Sequence, residues 1–166
     1  MRLVQCTNEH HGEAILAIFN HAIATSTAIY EYESRSRKSM VAWFETKQAQ
    51  GFPVLGLEME TGELLGFATY GVFREKPAYR TTVEHSVYIH PDHQRLGLGK
   101  LLMKRLINTA KQQNYHVMIG AIDASNSGSI AFHKKLGFTN VGTIREVGFK
   151  FDQWLDLALY QLILKP

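Results

Sequence analysis

At 166 residues, with 45% apolar and 20% charged residues, the chain is long enough for one domain with a substantial core, and its composition excludes a disordered or fibrous protein. A formal charge of +3, with Lys and Arg spread out apart from short clusters at 35–38 and 134–135, gives no electrostatic case for nucleic acid. Cys6 is alone, which excludes a disulfide framework or a cysteine-based metal site. With no apolar run approaching about 18 residues and an opening, MRLVQCTNEHHGEA, that does not read as a signal peptide, a cytoplasmic chain that crosses no membrane is expected.

In chain order, residues 3–6 predict a short first strand, and Thr7 or Asn8 can cap the helix that follows. Ala14, Ile15, Ile18, Phe19, Ala22 and Ile23 give that helix one apolar face, and residues 25–28 end it. Residues 29–33 predict a short extended segment. A second helix is expected to open at Ser39 and end at Gly51, with Trp43 and Phe44 in the core. Residues 53–59 and 64–71 predict two strands joined by a hairpin, with Gly62 where positive φ is needed. Residues 74–80 form a polar connection.

Residues 83–89 alternate Val83, His85, Val87 and Ile89 with Glu84, Ser86 and Tyr88, which predicts a strand. His90-Pro91-Asp92-His93 breaks it, and Gln94-Arg95-Leu96-Gly97-Leu98-Gly99-Lys100 leads into a helix marked by Leu101, Leu102, Arg105, Leu106 and Ile107. A strand running through a glycine turn into a helix is a phosphate-binding device, because backbone N–H groups converge and the helix dipole favours an anion. The dinucleotide pattern G-x-G-x-x-G is absent, since position 102 is Leu. The nucleotide-triphosphate loop is absent as well, since the glycine spacing is wrong and Leu101 stands where Ser or Thr is needed. The pattern present is [QR]-x-x-G-x-[GA], carried by Gln94, Gly97 and Gly99.

Residues 115–122 predict a strand buried on both faces. Asn126 or Ser127 caps a helix that Gly137 ends, and residues 138–144 and 154–164 predict the last two strands. No repeat, low-complexity tract or linker interrupts the order β-α-α-β-β-β-α-β-α-β-β. The expected fold is a single α/β (α+β) domain over residues 1–166, with a mixed, mostly antiparallel central sheet flanked by helices.

The glycine loop resembles the pyrophosphate loop of the GNAT N-acetyltransferases. The run Asn126-x-x-Ser129-x-Ala131-x-His133-x-x-Leu136-Gly137-Phe138 resembles the helix that follows the fifth strand in the same family. Within it, the chain is similar to the phosphinothricin and methionine sulfoximine/sulfone acetyltransferases. The residues carrying that similarity are Phe19-Asn20-His21, 25–28, 79–88, 93–99, His133 with 136–138, and Gly148-Phe149-Lys150 with Trp154. The resemblance implies direct transfer of acetyl from acetyl-CoA to the α-amine of a small amino-acid analogue, through a tetrahedral intermediate. It also implies a homodimer and a sheet splayed between strands 4 and 5, opened by a bulge around 87–89. Acylation of a protein or peptide amine, or a non-catalytic acetyl-CoA-binding module, stays open as an alternative.

Aminolysis of a thioester needs a neutral amine, an oriented carbonyl and a proton for the departing thiolate. Glu84 is the candidate base, and the resemblance puts His133, where the wider family has Tyr, beside the thiolate. Acetyl-CoA is expected on Val87, Tyr88 and Ile89, on the backbone of Arg95, Leu96, Gly97, Leu98, Gly99 and Lys100, and on Asn126 and Ser129. Arg74 and Arg80 are candidate clamps for a carboxylate or phosphinate, because a guanidinium reads planar oxyanions with two bonds. The resemblance further puts Thr27 and Ala28, with Tyr30 or Tyr32, in the acceptor pocket, and Glu75, Lys76, Glu84, His85 and Ser86 complete the expected acceptor contacts. His85, His90 and His93 lack a metal-ligand spacing, so no metal is expected.

Overall fold

The computed structural model describes residues 1–165. Among these the order is β1 (Arg2–Gln5), α1 (Asn8–Thr25), α2 (Arg37–Ala49), β2 (Val54–Glu58), β3 (Leu64–Val72), β4 (Thr82–Ile89), α3 (Leu98–Gln112), β5 (Val117–Asp123), α4 (Ser127–Lys135), β6 (Thr139–Lys150) and β7 (Gln153–Ile163). The strands form one sheet in the order β1-β2-β3-β4-β5-β7-β6, antiparallel throughout except for the β4/β5 pair. The mixed, mostly antiparallel sheet expected from the sequence is the one observed. No described helix is long and apolar enough to cross a membrane.

Local chemistry sets the element ends. Thr7 caps α1, its hydroxyl accepting from the His10 amide, and Gly62 turns the β2–β3 hairpin at φ 88°. Helix α2 starts two residues earlier than expected, because Ser36 is its cap and Ser39 is the reciprocal partner three residues on. Strand β6 runs to Lys150 instead of ending at 144. A two-residue turn at Phe151 (φ 52°) and Asp152 (φ 57°) joins it to β7, and this pair lacks the Asn-Gly composition that marks such turns in a sequence. Residues 29–33, expected to be extended, pair with no strand.

One core packs α3 and α4 on the sheet through Leu102, Met103 and Leu106 against Val83, Met118 and Phe138. The other packs α1 and α2 through Ile15, Phe19, Ile23 and Met40 against Val54 and Phe67. Leu102, Met103 and Leu106 are fully buried, and each such side chain contributes roughly 2 kcal/mol. These two layers hold β4 and β5 between them. The two strands pair only at Thr82↔Val117, Val83↔Met118 and Glu84↔Ile119, and beyond Glu84 they part. The expected bulge at 87–89 is not what opens them: β4 keeps an unbroken register with β3 from Val72↔Val83 to Gly66↔Ile89. The opening comes from divergence of β5, which turns away with β7 while β4 stays flat on β3.

Candidate acyl-transfer site

The register of β4 decides what its backbone offers. In an antiparallel pair, alternate residues send both N–H and C=O to the partner, and the residues between send both to the other side. His90 donates to the Leu65 carbonyl, so the even-numbered residues of β4 face β3 and Val87 and Ile89 face the side that β5 has left. Two strand amides and two carbonyls therefore open into the cleft without a neighbouring strand.

The cleft continues to the start of α3. Gly97, at φ 77°, is the N-terminal cap and provides no side-chain bond, so the amides of Leu98 and Gly99 precede the first bonds of the helix, made by Lys100 and Leu101 to the Gly97 carbonyl. Arg95 is also left-handed, at φ 66°. Gly99 lies where α3 meets α4, its Cβ position 3.4 Å from the Phe132 ring, an ordinary contact distance. These residues line a cavity of about 730 Å³ together with Val87, Tyr88, Ile89, Ser129 and Phe132. Its charged walls are Arg95, Lys100 and Lys135, with no carboxylate among the lining residues. A cationic cavity with free helix amides fits a polyphosphate, and the open strand edge fits an amide-bearing chain lying beside β4.

A second chamber of about 370 Å³ adjoins the first, and Ala28, Val87, Tyr88 and Ser129 line both. Glu84 and Asp123 supply its charges. Burial pushes the Glu84 carboxyl above the ordinary range, and the nearby charge of Arg74 only partly offsets this. Burial also pushes Asp123 up, but the Thr27 hydroxyl and the amide and hydroxyl of Ser125 donate to it and hold it below the usual aspartate range.

His85 and His133 meet in the wall of this chamber with their Nε2 atoms 3.0 Å apart. His133 Nδ1 lies 2.7 Å from the Ser129 carbonyl, which can only accept, so Nδ1 carries the proton of neutral His133. Its Nε2 then accepts from His85 Nε2–H, which leaves His85 Nδ1 a buried acceptor without a partner. Burial, then the neighbouring His133, push His85 down to about 3, and burial lowers His133 despite its bond to Ser129. Gly120 makes room for this pair, since a Cβ there would lie 2.9 Å from His85 Nε2.

Most of the residues expected from the sequence come together. Val87, Tyr88, Ile89, Arg95, Gly97, Leu98, Gly99, Lys100 and Ser129 line the larger cavity; Thr27, Ala28, Glu84, His85, Ser86 and His133 line the smaller. Leu96 points out, at 67% exposure. Asn126 lines the smaller chamber and not the larger, and its Oδ1 is occupied in capping α4 at the Ser129 amide. His133 has both nitrogens engaged, so in this arrangement it shows no free N–H to a thiolate. Arg74, Glu75, Lys76 and Arg80 are exposed and line neither cavity of the single chain. Tyr30 lines the smaller chamber, whereas Tyr32 donates to the Phe149 carbonyl.

Three contributors escaped sequence reasoning. Asp123 sits at the end of a strand read as wholly apolar, Phe132 looks like ordinary helix packing, and Lys150 lies past the expected end of β6. Lys150 donates to the carbonyls of Ser26 and Ile29, at 2.8 and 2.7 Å, and so fixes the loop that lines the smaller chamber. The motif Gly148-Phe149-Lys150 was the available signal: Tyr30 packs where a Gly148 side chain would be, with its ring 2.7 Å from that position. Among the described residues, no group of three or more His, Cys, Asp or Glu side chains could hold a metal ion.

Residues 16–138 match the family model described as acetyltransferase (GNAT) family. The L-methionine sulfoximine/L-methionine sulfone acetyltransferase of Pseudomonas aeruginosa is 44% identical over 92% of this chain and 88% of its own length. The L-amino acid N-acyltransferase of Escherichia coli is 43% identical over 91% of this chain and 87% of its own. A phosphinothricin acetyltransferase from Sinorhizobium meliloti, solved in complex with acetyl-CoA, superposes with a TM-score of 0.93 at 31% identity, covering 98% of this chain and 87% of that one. With the family model spanning most of the chain and these relatives matching almost end to end, the chain belongs to the acetyltransferase (GNAT) family.

Proposed function

We propose that this chain transfers the acetyl group of acetyl-CoA to the α-amine of a small amino acid or amino-acid analogue of the methionine sulfoximine, methionine sulfone or phosphinothricin type. The observation that carries this is the continuity of the cleft. Free amides at the start of α3 lead past the open edge of β4 to a chamber holding a desolvated Glu84.

The amides of Leu98 and Gly99, with Arg95 and Lys100, would hold the diphosphate, and Val87 and Ile89 would hydrogen-bond the pantetheine arm as a strand does. Acetyl-CoA supplies the acetyl group as an activated thioester, whose carbonyl a β4 amide would orient. Glu84 takes a proton from the acceptor ammonium, and its raised affinity for a proton suits it to that role near neutral pH. One N–C bond forms and one C–S bond breaks. Of the three ammonium protons, one goes to Glu84, one to the departing sulfur, and one stays on the amide. We assign His133 to holding Ser129 at the junction of the two cavities, because its own N–H is committed there. Asn126 and Ser86 would contact the acceptor from the chamber wall.

We further propose a homodimer in the cytoplasm. Phe149, Phe151 and Trp154 stand 44%, 51% and 66% exposed at the β6–β7 end, a patch that supports self-association. A partner chain would give Arg74, Glu75, Lys76 and Arg80 a role as outer acceptor contacts, with Arg74 already close enough for its charge to act on Glu84.

The test is thiol release from acetyl-CoA with methionine sulfone, methionine sulfoximine, phosphinothricin, free amino acids and a peptide panel. Saturable turnover on the amino-acid acceptors is expected, with Glu84→Gln lowering kcat by roughly 10²–10⁴-fold. Turnover confined to peptides would overturn the acceptor class, and full activity in Glu84→Gln would overturn the base.

A further inference from the structure

The acceptor chamber has a charge pattern that discriminates between acceptors. In the parallel register Glu84 stands opposite Ile119, and alternation along β5 carries the same sheet face on through Ala121 to Asp123. Asp123 is four residues beyond Ile119, roughly 13 Å along the strand, so the two carboxylates are set apart, and Asp123 bonds to Thr27 and Ser125 instead of to Glu84. Asp123 cannot swing away: Thr27 donates to one of its oxygens, and the amide and hydroxyl of Ser125 donate to the other at 2.9 and 2.8 Å. These three bonds keep it ionised.

Nothing in the chamber wall balances that charge. Among the described lining residues there is no Lys or Arg, and both histidines are held neutral by burial. Lys150, the cation behind the loop, commits its ammonium to the carbonyls of Ser26 and Ile29. Asp156 adds negative charge on the same side, since with Asp123 it helps raise the hydroxyl of Tyr30, after burial.

We infer that Asp123 is a specificity-determining residue: within the proposed acceptor class, its fixed carboxylate favours amino acids whose side chain is uncharged or cationic over those, phosphinothricin included, that carry a second anionic group. This rests on reading the smaller chamber as the acceptor site. Within about 8 Å, at the intermediate effective dielectric of a partly buried site, one negative charge disfavours another by tenfold or more.

The experiment compares kcat/KM for methionine sulfone, uncharged at its side chain, with that for phosphinothricin, whose phosphinate is anionic. Wild type is expected to prefer the sulfone. Asp123→Asn should raise the phosphinothricin-to-sulfone ratio about tenfold at an unchanged KM for acetyl-CoA, and Asp123→Glu should keep the wild-type preference. A ratio taken on one preparation does not depend on how much of it is folded. A ratio in Asp123→Asn within twofold of wild type overturns the inference, as does a wild type that prefers phosphinothricin. If Asp123→Asn does not fold, wild type alone decides, with phosphinothricin against its uncharged phosphinate methyl ester. The ester should be the better acceptor by about tenfold, and equal rates overturn the inference. A wild type that turns over methionine sulfone while the ratio stays put leaves the acceptor reading standing without this one. A wild type that turns over no amino-acid acceptor overturns both.

Discussion

Glu84 is held in a state that folding disfavours. Burial raises its pKa above the ordinary carboxylate value, because the ionised carboxylate is poorly solvated between β4 and the chamber. The sign of the stability effect follows. Below the ordinary carboxylate range, folded and unfolded chains both hold the proton and nothing is lost. As pH rises through the raised folded-state value, the folded chain must ionise a buried group, and stability falls. The isosteric Glu84→Gln should therefore melt at a higher temperature than wild type at about pH 7, with the gap closing as pH drops toward about 4. Equal melting temperatures across that range would mean that the folded chain holds Glu84 without strain, and its suitability as a base would need another source. The His85–His133 pair stores a cost of the same kind, since a buried ring nitrogen without a partner persists only where packing leaves no alternative.

The loop between α1 and α2 has no regular structure and lines the smaller chamber through Thr27, Ala28, Ile29 and Tyr30. It has no ladder of its own, and Lys150 replaces one by donating to two of its carbonyls. Asn20 adds a further tie, exchanging bonds with the backbone of Arg35 at 3.1 and 2.8 Å. Lys150→Met leaves both carbonyls without that donor, at roughly 1–3 kcal/mol. Steady-state kinetics should then show the acceptor KM rising several-fold, and by more than the KM for acetyl-CoA, because the loop reaches the larger cavity only through Ser26 and Ala28. An equal rise in both would show that Lys150 supports the fold at large and not this loop. The same loop marks how far the sequence could be read. The strand–turn–helix around Gly97 was legible because each step has a local cause, from Pro91 to the left-handed glycine. Lys150, Asp123 and the pairing of His85 with His133 were not, because the partners lie 121, 96 and 48 positions away, and pattern along a chain carries no register. The splay of the sheet was anticipated from resemblance, but its cause was misassigned, since a bulge is a local feature and divergence of β5 is not.

At the scale of the molecule, the exposed apolar residues at the end of β6 and β7 break with a self-contained surface. Val147, Phe149, Phe151 and Trp154 are all more than 40% exposed, and Ile144 stands 45% exposed on the same strand. Light scattering on the purified chain should give twice the chain mass, and Trp154→Glu should shift the population toward single chains. The acceptor KM of that variant should rise as Arg74 and Arg80 lose their setting. A single-chain mass for wild type at all accessible concentrations would remove the dimer and leave those arginines without a role in the site.

The three residue pairs that join β4 to β5 also have a mechanical meaning. Four strands lie on one side of that join and three on the other, and within each group every strand has an antiparallel neighbour along most of its length. The sheet thus behaves as two panels riveted at one corner, with the cleft as the gap between them. A molecule that hydrogen-bonds Val87 and Ile89 on one panel and rests against α4 on the other spans that gap, so its affinity for the folded chain is also cohesion between the panels.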